Sequence, residues 1–92
     1  MKYATWTITN GTTPEAQIIA KGGQAIGAMT LTFNNILGYV SDDADLTGLE
    51  LWNVTPQTSA QALALAKSVA PSTYYSAAGT FLTPIEYTDI VQ

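Results

Sequence analysis

The chain has 92 residues with three lysines, seven acids and neither cysteine nor histidine, for a net charge of −4. That length suits one α+β domain around a single core, so a single domain over residues 1–92 is expected. Without Cys there is no disulfide framework, thiolate nucleophile or Cys-based metal site, and without His the usual neutral-pH base is missing, which excludes acyl transfer by a His-activated serine.

Three scattered lysines and no arginine disfavour phosphate backbones and anionic lipid, so neither a nucleic-acid partner nor a membrane partner is expected. Charged residues make up 11% and apolar ones 47%, where an average soluble domain carries about 25% charge. The surface must then be built from Thr, Ser, Gln, Asn and Ala, or be partly hidden in an oligomer. No apolar run approaches the roughly 20 residues of a membrane span, and the first residues lack a signal-peptide core, so a cytoplasmic setting is expected. The sequons Asn10-Gly11-Thr12 and Asn53-Val54-Thr55 are then chance matches.

From Ala4 to Thr9 the chain alternates, with Ala4, Trp6 and Ile8 opposite Thr5, Thr7 and Thr9, which predicts a half-buried strand. Asn10-Gly11-Thr12 ends it. Thr13-Pro14-Glu15 predicts a helix start, with a hydroxyl cap, Pro at the first helical position and an acid in the first turn. Lys21 and Gly22-Gly23 predict its end, a Gly taking the left-handed conformation. Those glycines are at the wrong end of the helix for a phosphate loop. Alternation resumes from Ala25 to Phe33, with Ala25, Gly27, Met29, Leu31 and Phe33 on one face, and Asn34-Asn35 predicts a tight turn into a strand from Ile36 to Ser41.

Asp42 to Gly48 is the charge-rich stretch. In Asp43-Ala44-Asp45-Leu46-Thr47-Gly48, Asp43, Asp45, Thr47 and Gly48 match the first, third, fifth and sixth positions of a calcium loop. Asp43, Asp45 and Thr47 are therefore weak metal candidates. The twelfth position, where a bidentate acid should stand, is Val54, and no helix flanks the loop. A solvated Asx turn accounts for the stretch better, so neither metal nor cofactor is expected. A short strand is predicted from Leu49 to Val54, ended by Pro56. Thr58 and Gln61 form a capping box ahead of a helix from Ser59 to Ala70, with Ala62, Leu65, Ala66 and Val69 as its apolar stripe and Leu63 widening it. Tyr74 to Ser76 and Thr80 to Thr83 predict a small hairpin or one bent strand, and Ile85 to Gln92 an edge or loose tail.

The aromatic residues could stack on a planar ligand, and Trp52, Tyr74 and Tyr75 are the candidate ligand or interface aromatics, Tyr74 and Tyr75 pointing to opposite faces of a strand. Trp6 is read as core. No catalytic residue is assigned: a pair of Glu50 with a loop aspartate has no support in spacing.

Met1-Lys2-Tyr3-Ala4-Thr5-Trp6-Thr7, Ile36-Leu37-Gly38-Tyr39-Val40, Trp52-Asn53-Val54-Thr55 and Gln61-Ala62-Leu63-Ala64 resemble, in this order, short hypothetical proteins encoded by marine cyanophages. The resemblance implies a viral or environmental origin and synthesis inside a host cell, and assigns no activity and no site residue.

The element order predicts a ferredoxin-like sandwich, an antiparallel-rich sheet with two helices on one face and an added strand. The bare face would invite a symmetry mate, so a homodimer is expected. Two functions fit: a small noncatalytic binding or assembly module, or a ligand-binding or enzymatic ferredoxin-like dimer with a pocket between helices and sheet, its ligand unknown.

Overall fold

The computed structural model describes residues 1–32, 34–68, 83–84 and 90. It is a small α+β fold. The strands are β1 (Lys2–Thr7), β2 (Ala25–Thr32), β3 (Asn35–Val40), β4 (Thr55–Gln57) and β5 (Thr83–Pro84), and the helices are α1 (Glu15–Ala20) and α2 (Ser59–Lys67). The sheet order is β4-β1-β3-β2-β5, antiparallel throughout except for the β2–β5 pair.

The β1 strand keeps its period of two. Ala4 and Trp6 are buried on one side, and Tyr3 on the other faces Tyr39 across the ladder, the rings tilted with centroids 6.2 Å apart. The strand is followed by a two-residue turn in which Asn10 and Gly11 both have positive φ (51° and 73°) and Thr9 and Thr12 exchange backbone hydrogen bonds of 3.0 and 2.9 Å. This is the primed hairpin turn that Asn-Gly favours, folded back where only a strand end was expected.

Helix α1 begins differently from its prediction. Pro14 occupies the N-cap, so Glu15 is the first helical residue, and no side chain caps the helix. Its end is as expected: Gly22 at φ 90° donates to the Ile19 carbonyl and Gly23 to that of Ile18, both at 3.0 Å, which satisfies the last carbonyls in a Schellman pattern.

In β2 a register shift between Ala25 and Gly27 breaks the strict alternation. Ala25 consequently packs with Ile18 and Val40, while Met29, expected on its face, packs with Leu37 on the opposite side. Asn34 (φ 65°) makes the turn into β3, and Asn35 already belongs to the strand.

The strand predicted from Leu49 to Val54 is not one. Glu50–Trp52 form a single 3-10 turn ended by Asn53 in the left-handed region (φ 52°), and extended structure starts at Thr55. Pro56, expected to end a strand, lies inside β4, which is tolerable because β4 is an edge strand. The capping box of α2 is complete: Gln61 N–H donates to Thr58 Oγ1 at 3.1 Å and Thr58 N–H to Gln61 Oε1 at 2.9 Å. The helix is described to Lys67 with Ser68 as C-cap; Val69 and Ala70, the hairpin residues before Thr83, and the tail except buried Ile90 lie outside the described residues.

The two helices do not share a face, contrary to expectation. Ala62 and Ala66 of α2 pack with Tyr3, Met29, Leu37 and Tyr39. Ile18 of α1 packs with Ala25 and Val40 on the other side, together with Ala44 and Leu49 from the segment 41–54. Topology accounts for this. Two crossovers join parallel strands, β1 to β2 through α1 and β3 to β4 through 41–54. They start from strands of opposite sense and move in opposite lateral directions, so the usual right hand puts both on the same face. That face is filled before α2 begins, and α2 takes the other. The bare sheet face on which the homodimer expectation rested is therefore covered.

Candidate functional site

Among the described residues, three places stand out for setting polar side chains against apolar ones. The first is a groove of about 470 Å³ where α2 meets the sheet, lined by Thr5, Leu31, Asn35, Gln57, Gln61, Ala64 and Leu65. Its floor exists because α2 rests on two alanines. Ala62 and Ala66 are fully buried and bring the helix close to the sheet, so Leu65, predicted as a core residue, stays half-buried at the groove wall. The rim is uncharged: Gln57 Nε2 donates to Thr5 Oγ1 at 3.3 Å, and Asn35 Nδ2 to Thr32 Oγ1 at 3.1 Å. Lys2, Lys21, Lys67, Glu15, Asp42, Asp43, Asp45 and Glu50 all stand outside the lining. Such a surface offers apolar contact and neutral hydrogen bonds but no proton donor or acceptor that titrates near neutrality.

The second is the acidic segment. Asp45 Oδ1 accepts from the Thr47 backbone N–H at 3.0 Å and from its hydroxyl at 2.6 Å, an Asx turn, and these bonds hold the Asp45 carboxyl below the usual carboxylate range. Asp42 is also lowered, by its bond to the terminal ammonium of Met1. Asp43 is exposed and belongs to no cluster of metal-ligating side chains among the described residues. Two carbonyls of the loop are already occupied: Lys2 Nζ donates to Ala44 O at 2.7 Å and Lys21 Nζ to Thr47 O. Two of the protein's own ammoniums thus already face the backbone of this loop.

The third place carries a residue that sequence reasoning passed over. Glu15, read only as a first-turn acid, is completely buried, as are Pro14 and Trp6. Neither of its carboxyl oxygens, nor Trp6 Nε1, has a partner at hydrogen-bonding geometry. Burial pushes the Glu15 carboxyl up; the Thr13 hydroxyl, its own backbone N–H and the Trp6 indole stand near enough to oppose the rise, by less. The signal was its spacing: Glu15 and Ile18 are three apart, hence on one helix face.

Of the candidate aromatics, Trp52 is half-buried and donates from Nε1 to Thr12 Oγ1 at 3.2 Å, pinning the 3-10 turn to the 9–12 hairpin. That hydrogen bond and its packing on Ala4, Trp6 and Ile36 make it a wall of the fold. Tyr74 and Tyr75 lie outside the described residues. No described helix is long and apolar enough to cross a membrane. Comparison of the chain with protein-family models, with curated proteins and with solved structures finds no match.

Proposed function

We propose that this chain is a small noncatalytic binding or assembly module, cytoplasmic and of phage or environmental origin, that acts as a homo-oligomer through the α2 groove. The groove carries the reading. It combines an apolar floor with polar groups of no charge, in a protein whose net charge of −4 would otherwise oppose self-association. Two copies meeting there bury Leu31 and Leu65 without bringing carboxylates together. The sheet order β4-β1-β3-β2 supports a ferredoxin-like relationship in which α2 has moved to follow the last of those four strands.

Light scattering over a dilution series into the low micromolar range tests the association. A mass above that of the 9.7 kDa protomer is expected for the natural chain, and the protomer mass for Ala64→Glu, which places a charge in the groove at an exposed helical position. A protomer mass for the natural chain at every concentration rejects the homo-oligomer. A multimer that Ala64→Glu leaves intact rejects the groove as its contact.

A further inference from the structure

We infer that Glu15 is a buried proton switch: neutral, it lets the first turn of α1 close over Trp6, and ionised, it drives that turn off the sheet. Both carboxyl oxygens are dry, and the indole N–H beside them is equally buried and unpaired. A neutral acid tolerates such a place, whereas a carboxylate without a cation does not.

No cation is available. From α1 and the two residues before it, the facing groups are the Thr13 hydroxyl and the backbone N–H of Glu15; from β1 it is the Trp6 indole; no ionised side chain contributes to the titration of Glu15. Lys2 and Lys21 are engaged with the carbonyls of Ala44 and Thr47. The segment 41–54 packs onto this side with Leu46, Trp52 and Val54, and its Asp42, Asp43, Asp45 and Glu50 are exposed.

The element above Glu15 is short. Helix α1 has six residues and no side-chain cap; its first turn is held by the burial of Pro14 and Glu15, and its far end by buried Ile18 and the Schellman bonds. A helix this short has little stability of its own, so its first turn depends on that packing and is sensitive to a charge placed in it.

The sign follows from the direction of the shift. Glu15 is raised from 4.5 in the folded chain, so its contribution is complete below that value and is lost as pH rises through the folded pKa. Asp42 and Asp45, lowered from 3.8, work oppositely and only at more acid pH. Above 4.5 both of those effects are complete, and Glu15→Gln separates Glu15 from any other group that titrates there.

Hydrogen exchange, corrected for intrinsic rates, compares α1 with β3 at pH 5 and pH 8 in the natural chain and in Glu15→Gln. Protection of the α1 amides should fall by on the order of tenfold or more in the natural chain, with β3 changing less, and should stay constant in Glu15→Gln. Identical pH profiles for both proteins overturn the switch. Should Glu15→Gln not fold, carbon-detected NMR of the natural chain decides. A Glu15 carboxyl titrating above 4.5 together with the α1 amide shifts upholds the proposal, and one titrating at or below 4.5 overturns it.

Discussion

On one face of the sheet, α2 sets Ala62 and Ala66 against Tyr3, Met29, Leu37 and Tyr39, its first turn closed by a complete capping box. On the other, α1 sets Ile18 against Ala25 and Val40 and a buried acid beside Trp6, its first turn uncapped. The same strands supply both faces, so the contrast arises from what was laid on them. The α2 side is apolar contact between small helix residues and large strand residues. The α1 side accommodates the largest side chain in the core, and everything near it gives way. Gly38 opposes Ala4 on the neighbouring strand, and the six-membered part of the indole lies where a side chain would be.

That crowding gives the largest expected effect. A Cβ on Gly38 would stand 1.9 Å from Trp6 Cη2 and 2.5 Å from Cζ3. Trp6 is 1% exposed and cannot swing away. Gly38→Ala should therefore cost about 3 kcal/mol or more in urea unfolding, at the upper end of overpacking penalties. Combining it with Trp6→Leu should recover part of that loss, a coupling that double-mutant analysis reads directly. If the two changes simply add, the ring does not occupy the Gly38 site.

The α2 face should break by the same mechanism at lower cost. Ala66→Leu forces a branched side chain between helix and sheet and should cost about 1–3 kcal/mol. Leu65→Ala, next to it but half-buried, should cost only about 1 kcal/mol, because much of its apolar area is already in water. The reverse ranking would mean that α2 turns its leucine inward, as the sequence stripe predicts.

The two helix starts sharpen the comparison further. Thr58→Ala removes an observed cap from α2 and should cost about 1 kcal/mol. Thr13→Ala, which the sequence makes look equivalent, should cost less than half of that, since Thr13 does not cap α1. Thermal unfolding of the two variants side by side checks the difference.

What could be read from the chain follows the same division. The capping box, the Gly22 end of α1 and the alternation of β1 each depend on residues within a few positions of one another, and each is present. The order of strands and helices was legible too, with the short strand displaced from Leu49–Val54 to Thr55–Gln57 because Asn53 turns left-handed. What could not be read depends on partners distant in sequence. The face that α2 takes is decided by the earlier crossover through 41–54, and the side of Ala25 by a register shift against β3. The groove is a product of that packing: Thr5, Leu31, Gln57 and Leu65 come from four separate elements. Glu15 was half legible, its spacing from Ile18 giving the face but not the neighbouring indole.

The smallest effect belongs to the acidic segment, where the geometry competes with a cation directly. Asp45 is exposed, and its two bonds to Thr47 are local, so Asp45→Ala should leave the urea midpoint almost unmoved. Its more informative use is as a control for calcium. A calcium ion entering this loop would sit beside the ammoniums of Lys2 and Lys21, which bond the carbonyls of Ala44 and Thr47, and would find Val54 where a bidentate acid is needed. Isothermal titration of micromolar protein should give no sub-millimolar calcium affinity, and Lys21→Met, by removing a positive charge beside the loop, should raise whatever weak affinity exists. If tight binding is measured and then abolished by Asp43→Ala, the lysines are counterions that yield to the metal, and the acidic side of the molecule, rather than the α2 groove, becomes the place to look for its ligand.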